Sequence, residues 1–143
     1  MKECGSAVIL RIHARPDQLP QAREAVAQVA DALGFPESDR CHVVLALDEA
    51  LANVIKHGYG SPCSEPIDIH IAQVERDGRM GVRVTLRDFG RQVEPSAIHG
   101  RDLDDVRPGG LGVHIIRSVM DEVTYEQATE GGMRLTMTKW VKP

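Results

Sequence analysis

Apolar residues near the start of the chain follow first a strand period and then a helical period. Residues 7–13 form a short, β-branched apolar run that stops before Pro16, which predicts an opening strand. Between residues 19 and 33, apolar side chains recur at steps of three and four and form one stripe along a helix. Asp17 is the predicted cap of this helix, and Gly34 is its predicted end.

Residues 41–55 are apolar almost all the way round a helix, which is typical of a buried helix. Its N-cap is predicted at Ser38, and its end is predicted at Gly58 and Gly60. Four polar side chains interrupt the apolar pattern: Asp48, Glu49, Asn53 and Lys56.

Glu49 and Asn53 form the most informative polar pair of this helix. Because they are four residues apart, they stack on one helix face with about 5 to 6 Å between their Cβ atoms. A buried carboxylate or amide without a partner is costly, so we expect the helix to line a polar cavity or to hold a ligand. A capping or salt-bridge role for both residues is the alternative that the spacing leaves open.

The second half of the chain alternates apolar and polar residues in paired segments. The predicted elements are strands at 67–75 and 82–88 with an Asp77-Gly78 turn, a helix at 111–120, and strands at 123–128 and 133–140 with a Glu130-Gly131-Gly132 turn. No long series of parallel βαβ units is present in this order. The pattern therefore predicts an α+β two-layer sandwich, in which a mostly antiparallel sheet carries three helices on one face.

Composition narrows the class of protein. A length of 143 residues predicts a single domain, 1–143, with a sizeable core. The net charge of −4 and the absence of a basic run argue against a nucleic-acid partner. Three widely spaced cysteines predict reduced thiols and a cytoplasmic location. No apolar run reaches the roughly 20 residues of a membrane span, so no membrane partner is expected.

A long connection separates the second predicted hairpin strand from the helix that follows it. Residues 89–108 contain no convincing element, and connections of that length usually act as lids or binding loops. Gly109, Gly110, Leu111 and Gly112 come next, at a predicted helix N-terminus. Free N–H groups and the helix dipole favour an anion such as a phosphate there. A plain turn is the alternative for such glycines.

Asp88 ends the strand that precedes this connection, and Gly90 follows two residues later. A carboxylate at this place could accept the exocyclic amine of adenine, and it would discriminate against guanine, which presents a carbonyl there. A turn-initiating aspartate bonded to its own backbone is the alternative.

These motifs follow one another in a definite order: Glu49-x-x-x-Asn53, Lys56-His57-Gly58-Tyr59, Asp88-x-Gly90, and Gly110-x-Gly112 at the start of a helix. In this combination the chain resembles the GHKL ATPase superfamily. The segments DEALANVIKHGY, GGLGVHIIRSVMDEV and LTMTKW resemble the anti-sigma factor serine kinases within it. The resemblance covers essentially the whole chain and implies a single ATP-binding serine/threonine kinase domain of GHKL fold that uses ATP and Mg²⁺.

The resemblance also implies a role for each matched residue. Glu49 would be the general base, Asn53 the magnesium ligand, Lys56 a phosphate contact, Asp88 and Gly90 the adenine site, and Gly109, Gly110, Leu111 and Gly112 the phosphate-proximal segment. Thr136 lies where a polar residue commonly supports the adenine site. The chain departs from many superfamily members at Arg91-Gln92, where a second glycine is usual, and this puts the floor of the adenine pocket in doubt.

Partners and activity follow from the same resemblance. It implies ATP and ADP as ligands, a sigma factor that the chain sequesters, and a STAS-type anti-sigma factor antagonist that it phosphorylates. Whether the chain forms a homodimer stays open. The alternative is a nucleotide-gated binding module of the same fold with little or no kinase activity, and the intact Glu49 favours the kinase. The catalytic half of a sensor histidine kinase is less favoured, because the sequence supplies no phosphoacceptor helical hairpin.

Overall fold

The computed structural model describes residues 1–98 and 111–143 of the chain, and its main elements follow in the order strand, two helices, two strands, helix, two strands. The strands are β1 (Lys2–His13), β2 (Pro66–Arg76), β3 (Arg79–Asp88), β4 (Glu122–Gln127) and β5 (Met133–Trp140). The helices are α1 (Leu19–Ala32), α2 (Glu37–Asn53) and α3 (Gly112–Val119). A π-helical turn, Val54–Gly58, continues α2, and short 3-10 turns lie at Pro16–Gln18 and Pro95–Ala97.

In the described part of the chain, the five strands form one antiparallel sheet in the order β1-β2-β3-β5-β4. Alternate side chains of β2, at Ile67, Ile69 and Ile71, are buried against the helices, as the period of two in the sequence predicts. Leu47 and Leu51 of α2 are fully buried in the same core. The predicted two-layer α+β architecture is therefore confirmed.

The helix starts differ from the prediction because prolines and not polar caps open them. Asp17 lies in the 3-10 turn, where its carboxylate accepts a hydrogen bond from Arg15, and Gln18 occupies the N-cap of α1 without a side-chain bond. Pro36 is the N-cap of α2, so the predicted Ser38 cap is wrong. A proline fixes φ near the helical value and removes an N–H that would be unsatisfied in the first turn, which reduces the need for a polar cap.

Two further boundaries differ from the prediction. The first strand begins at Lys2, because Gly5 has a φ of +72° and a bulge between Cys4 and Val8 lets pairing continue on both sides of it. Helix α2 is buried on one side only, since Cys41 and Leu45 are exposed. The expectation of a helix buried all round is therefore wrong for that outer face. No helix within the described ranges is both long and apolar enough to cross a membrane.

Candidate functional site

A cavity of about 390 Å³ lies where the end of α2, the ends of β3 and β5, and the start of α3 meet. Its size is in the range of small-ligand sites. The lining residues from α2 and the π turn are Ala50, Asn53, Val54, His57 and Gly58. The sheet contributes Leu86, Asp88, Tyr125, Met133 and Leu135, the segment after β3 contributes Arg91, Val93, Ala97 and Ile98, and α3 contributes Gly112 and Val113.

Asp88 is the buried carboxylate of this cavity, with only 5% of its surface exposed. Its Oδ1 accepts the backbone N–H of Gly90 at 2.9 Å and that of Met133 at 3.3 Å. Burial raises the pKa of Asp88, and these two N–H groups and the charge of Arg87 oppose that rise. Both N–H donors act on one oxygen, which leaves Oδ2 as the oxygen suited to accept a hydrogen bond from a ligand.

Arg87 holds the backbone around Asp88 from the adjacent position of β3. Its Nη1 donates to the carbonyl oxygens of Asp88 and Gly131, the latter at 2.7 Å, and its guanidinium lies 4.2 Å from the centre of the Phe89 ring. These contacts join the end of β3 to the turn between β4 and β5. The position of the Met133 N–H beside Asp88 is thereby fixed.

Close backbone approach explains the glycines at this end of the cavity. A Cβ on Gly90 would overlap the carbonyl of Gly58 and lie 3.1 Å from the Tyr59 ring. The Arg91 N–H donates to the same Gly58 carbonyl at 2.9 Å. Gly90 is therefore required where the segment after β3 crosses the π turn, and its predicted place beside the Asp88 site agrees with this geometry.

Asn53 and Gly112 lie at the other end of the cavity, and Glu49, which does not itself line the cavity, lies beside Gly112. A Cβ on Gly112 would lie 2.9 Å from Glu49 Oε2 and 3.3 Å from both Oδ1 and Nδ2 of Asn53. The structure thus brings together residues that are about sixty positions apart in the sequence and that the motifs predicted to act together. Leu111, just before α3, is 38% exposed. Gly109 and Gly110 lie outside the described residues.

The prediction for residues 89–108 can be compared with the structure only up to residue 98, because residues 99–108 lie outside the described residues. Up to residue 98 it contains no long element, as predicted, and it is attached to the β4–β5 hairpin. Gln92 Nε2 donates to the Ala128 carbonyl at 2.7 Å, and Gln127 Nε2 donates to the Val93 carbonyl at 3.4 Å. Gln92, one of the two residues that replace the second glycine, therefore anchors one wall of the cavity.

Four of the predicted ligand contacts that the structure describes do not line the cavity: Lys56, Gly90, Leu111 and Thr136. Lys56 is exposed and outside the cavity lining, whereas His57, four residues after Asn53 and therefore on the same helix face, lines the cavity. Thr136 pairs with Thr85 and Thr124 on the sheet face opposite Leu135 and does not line the cavity, so its support of the adenine site stays a prediction.

Sequence reasoning missed several residues that line the cavity. They are His57, Arg91, Val93, Tyr125, Met133 and Leu135. Strand alternation could have found Tyr125, Met133 and Leu135, since they share the helix-facing side of β4 and β5. No signal in the sequence identifies Arg91 or Val93, because their positions depend on the crossing over Gly58.

The polar end of the cavity fits a hard divalent cation in its donor chemistry. Asn53 supplies an amide oxygen, with the Glu49 carboxylate one helical turn away, and Mg²⁺ prefers oxygen ligands and retains several waters. Among residues 1–98 and 111–143, no cluster of three or more His, Cys, Asp or Glu side chains forms a cage for a metal by itself. The donor set therefore fits a cation that shares its shell with a ligand.

The chain is similar over most of its length to proteins named as kinases of one kind. Serine-protein kinase RsbW from Halalkalibacterium halodurans is 26% identical over 141 residues, which cover 93% of this chain and 82% of that protein. The protein of the same name from Staphylococcus aureus strain MRSA252 is 28% identical over 138 residues, which cover 93% of this chain and 86% of that protein.

Two solved structures share the fold. One contains the RsbU and RsbW domains of Rv1364c from Mycobacterium tuberculosis, with a TM-score of 0.63 and 19% identity over 97% of this chain, which spans 34% of that longer chain. The other is the SiaB-SiaC complex from Pseudomonas aeruginosa, with a TM-score of 0.58 and 16% identity over 94% of this chain and 89% of that one.

The family model for the histidine kinase-like ATPase domain matches residues 12–139, a range that contains every residue of the cavity. The sheet order, the convergence of Glu49, Asn53 and Gly112, and the buried Asp88 are all within that range. On this evidence the chain belongs to the histidine kinase-like ATPase domain family.

Proposed function

We propose that the chain transfers the terminal phosphoryl group of ATP to a serine or threonine hydroxyl of a partner protein, with Mg²⁺ held at Asn53. We also propose that this partner is a STAS-type anti-sigma factor antagonist and that the chain sequesters a sigma factor. The observation that supports the proposal is that a Cβ on Gly112 would lie 2.9 Å from Glu49 Oε2 and 3.3 Å from Asn53, so a carboxylate and an amide lie together at the start of α3.

The two ends of the cavity suit the two ends of ATP. Asp88 is buried and has Oδ2 to accept the exocyclic amine of adenine, whereas guanine would present a carbonyl to it. Gly112 lets a phosphate approach the start of α3, where backbone N–H groups favour an anion. The apolar side chains between them, Leu86, Leu135 and Val113, suit the base and exclude water.

In this proposal Glu49 acts on the attacking hydroxyl. In the proposed step the hydroxyl oxygen forms a bond to the γ-phosphorus, the bond to the bridging β–γ oxygen breaks, ADP leaves, and the hydroxyl proton passes to the Glu49 carboxylate. A bound Mg²⁺ would neutralise the phosphate charge that develops during transfer. Asn53 would hold this ion and Glu49 would orient the hydroxyl, one helical turn away.

The comparisons support a protein substrate. The relatives from several bacteria are named serine-protein kinases, and one structural neighbour was solved as a complex with a second protein, SiaC. That complex supports a second protein as partner of this chain. The antagonist and the sigma factor rest on the sequence resemblance, and Mg²⁺ rests on the resemblance and on the amide oxygen of Asn53 beside Glu49.

Glu49→Gln tests the proposal, because the amide keeps the shape of the side chain but cannot take a proton. Phosphoryl transfer to an antagonist from the same genome should fall by about 100-fold or more, while ADP affinity measured by calorimetry should survive. The matched control is Asp48→Asn, which removes the neighbouring charge. Asp48 pairs with Arg23 at 2.6 Å and does not line the cavity. Its transfer should stay close to that of the unmutated protein.

Undiminished transfer in Glu49→Gln would rule out Glu49 as the base. If the unmutated protein binds ADP but phosphorylates no antagonist from its genome, the proposal fails and the chain is a nucleotide-gated binding module.

A further inference from the structure

Tyr59 ends the Lys56-His57-Gly58-Tyr59 motif and has no part in the proposed transfer step. It follows the π turn directly, and its backbone N–H donates to the Val54 carbonyl at 2.9 Å. Its half-buried ring packs against the core. The fold therefore holds both the backbone and the ring of Tyr59, which gives its hydroxyl a fixed place.

The Tyr59 hydroxyl lies between two strands at the point where their pairing stops. It donates to the Pro66 carbonyl at 2.6 Å and accepts the Phe89 N–H at 2.9 Å. The pairing of β2 with β3 ends with Ile67 opposite Asp88, and one further step in this register would set Pro66 opposite Phe89. The hydroxyl therefore stands where the next backbone hydrogen bond of the antiparallel pair would form.

This hydroxyl can make both bonds because it is protonated. Burial raises the pKa of Tyr59, the bond from the Phe89 N–H opposes that rise, and the charge of Asp88 adds to it. A phenol with a raised pKa keeps its proton at neutral pH, so it donates one hydrogen bond while it accepts another.

The same tyrosine contacts the residues that follow Asp88. A Cβ on Gly58 would lie 3.7 Å from Cγ and from both carboxylate oxygens of Asp88, so the face of the carboxylate lies against the π turn. Gly90, whose N–H donates to Asp88 Oδ1, lies against the Tyr59 ring, where an added Cβ would be 3.1 Å from Cδ1. Tyr59 thus holds Phe89 through its hydroxyl and Gly90 through its ring.

We propose that Tyr59 is a positioning residue for the adenine-binding carboxylate, and that it thereby sets the preference of the site for adenine over guanine nucleotides. The inference rests on the proposed function, because it takes an adenine nucleotide as the ligand of Asp88. Tyr59 itself does not line the cavity and acts through the backbone of Phe89 and Gly90. A hydrogen bond weakens steeply when its geometry is lost, so adenine affinity depends on where the carboxylate is held.

Tyr59→Phe removes the hydroxyl but keeps the ring and its contact with Gly90. The Phe89 N–H and the Pro66 carbonyl then lose their shared partner, and the backbone beside Asp88 is released. The Kd for Mg-ADP, measured by calorimetry on the full chain, should rise by about 10-fold, because the bond to the exocyclic amine is weakened. The Kd for Mg-GDP should change by less than about twofold, because guanine does not form that bond. The preference for ADP over GDP should therefore fall by about 10-fold.

Trp140→Phe is the control for a general loss of stability. The indole N–H of Trp140 donates to Glu122 at 2.8 Å, and the residue pairs with Gly81 at the opposite end of β3 and does not line the cavity. Both variants should lower the melting temperature of the nucleotide-free chain by about 4 °C or more, but only Tyr59→Phe should change the ADP preference. An equal fall of the preference in both variants would show that it reports stability alone, and the inference would be wrong.

A double variant tests whether Tyr59 acts through Asp88. Asp88→Ala removes the carboxylate, so the place in which Tyr59 holds it no longer matters. Adding Tyr59→Phe to Asp88→Ala should therefore leave the ADP preference within about twofold of that of Asp88→Ala alone. A further fall of about 10-fold would mean that Tyr59 acts independently of the carboxylate, which contradicts the inference.

The binding measurements also separate the inference from the function on which it rests. If Tyr59→Phe keeps the ADP preference within about twofold, and the unmutated protein clearly binds Mg-ADP, only the inference is overturned. Absence of Mg-ADP binding in the unmutated protein overturns the proposed function and the role of Tyr59 together.

Discussion

Gly112→Ala is the substitution that tests the polar end of the site most directly. The added Cβ would lie 2.9 Å from Glu49 Oε2, whereas ordinary van der Waals contact begins at 3.4 Å, so the carboxylate must retreat by the difference of 0.5 Å. Asn53 is affected too, because its two side-chain atoms would lie 3.3 Å away. One methyl group therefore displaces both the proposed base and the proposed metal ligand.

The effects on activity and on stability should differ in this variant. A misplacement of about 1 Å can reduce a rate by roughly 100-fold, so a shift of about half that size should reduce phosphoryl transfer by about 10-fold. The free energy of unfolding should stay the same or rise by up to about 1 kcal/mol. The displaced atom is the end of a flexible side chain, and alanine is a better helix former than glycine.

The assay combines transfer of labelled phosphate to the antagonist with denaturant unfolding of the nucleotide-free chain. Ser118→Ala on the same helix is the control, since its exposed hydroxyl donates only to the Ile115 carbonyl at 2.9 Å and the residue does not line the cavity. This control should transfer at the unmutated rate. Transfer by Gly112→Ala within twofold of the unmutated protein would show that Gly112 does not approach Glu49 and Asn53 as described.

The remaining predictions concern Asn53 and Asp88. Asn53→Ala should weaken Mg-ATP binding by about 10-fold or more but change metal-free ATP binding little. If calorimetry shows that the variant loses the same ATP affinity with and without Mg²⁺, Asn53 is not a metal ligand. Because the pKa of Asp88 is raised in the folded chain, its contribution to stability is present below about pH 4 and is lost as the pH rises through the folded pKa. Thermal unfolding from about pH 3.5 to 7 should therefore show the unmutated chain losing stability relative to Asp88→Asn, and a constant difference across that range would contradict the shift.

Most of the fold could be predicted because the spacing of apolar residues along a segment shows whether it forms a strand or a helix. The alternation at Ile67, Ile69 and Ile71 and the Asp77-Gly78 turn predicted the β2–β3 hairpin, which the structure confirms. Helix starts were predicted less well, because polar residues at 17 and 38 looked like caps while Pro36 opens α2. A sequence shows which residues can cap, but the local backbone path decides which one does.

The outer face of α2 shows a second limit of sequence reasoning. Leu45 is 40% exposed there, although the sequence pattern indicated burial. The period of a helix determines which residues share a face. It does not determine how many faces the rest of the chain covers, because that depends on the number of elements packed around the helix.

The cavity itself shows why the polar ends were predicted and the walls were not. Glu49 and Asn53 share an α-helical face, so their spacing alone places them together, and Gly112 then fits against both. One turn later the chain becomes π-helical, and the Tyr59 N–H bonds the Val54 carbonyl five residues back at 2.9 Å.

The π turn begins just after Asn53, and within it His57 lines the cavity while Lys56 does not. The same turn positions the Gly58 carbonyl, which the Arg91 N–H contacts and which leaves no space for a side chain at position 90. The wall of the adenine end thus depends on a single irregular turn. No residue type in the segment VIKHG predicts a π turn. The contacts of Gly90 and Arg91 with the Gly58 carbonyl could therefore be found only from the structure.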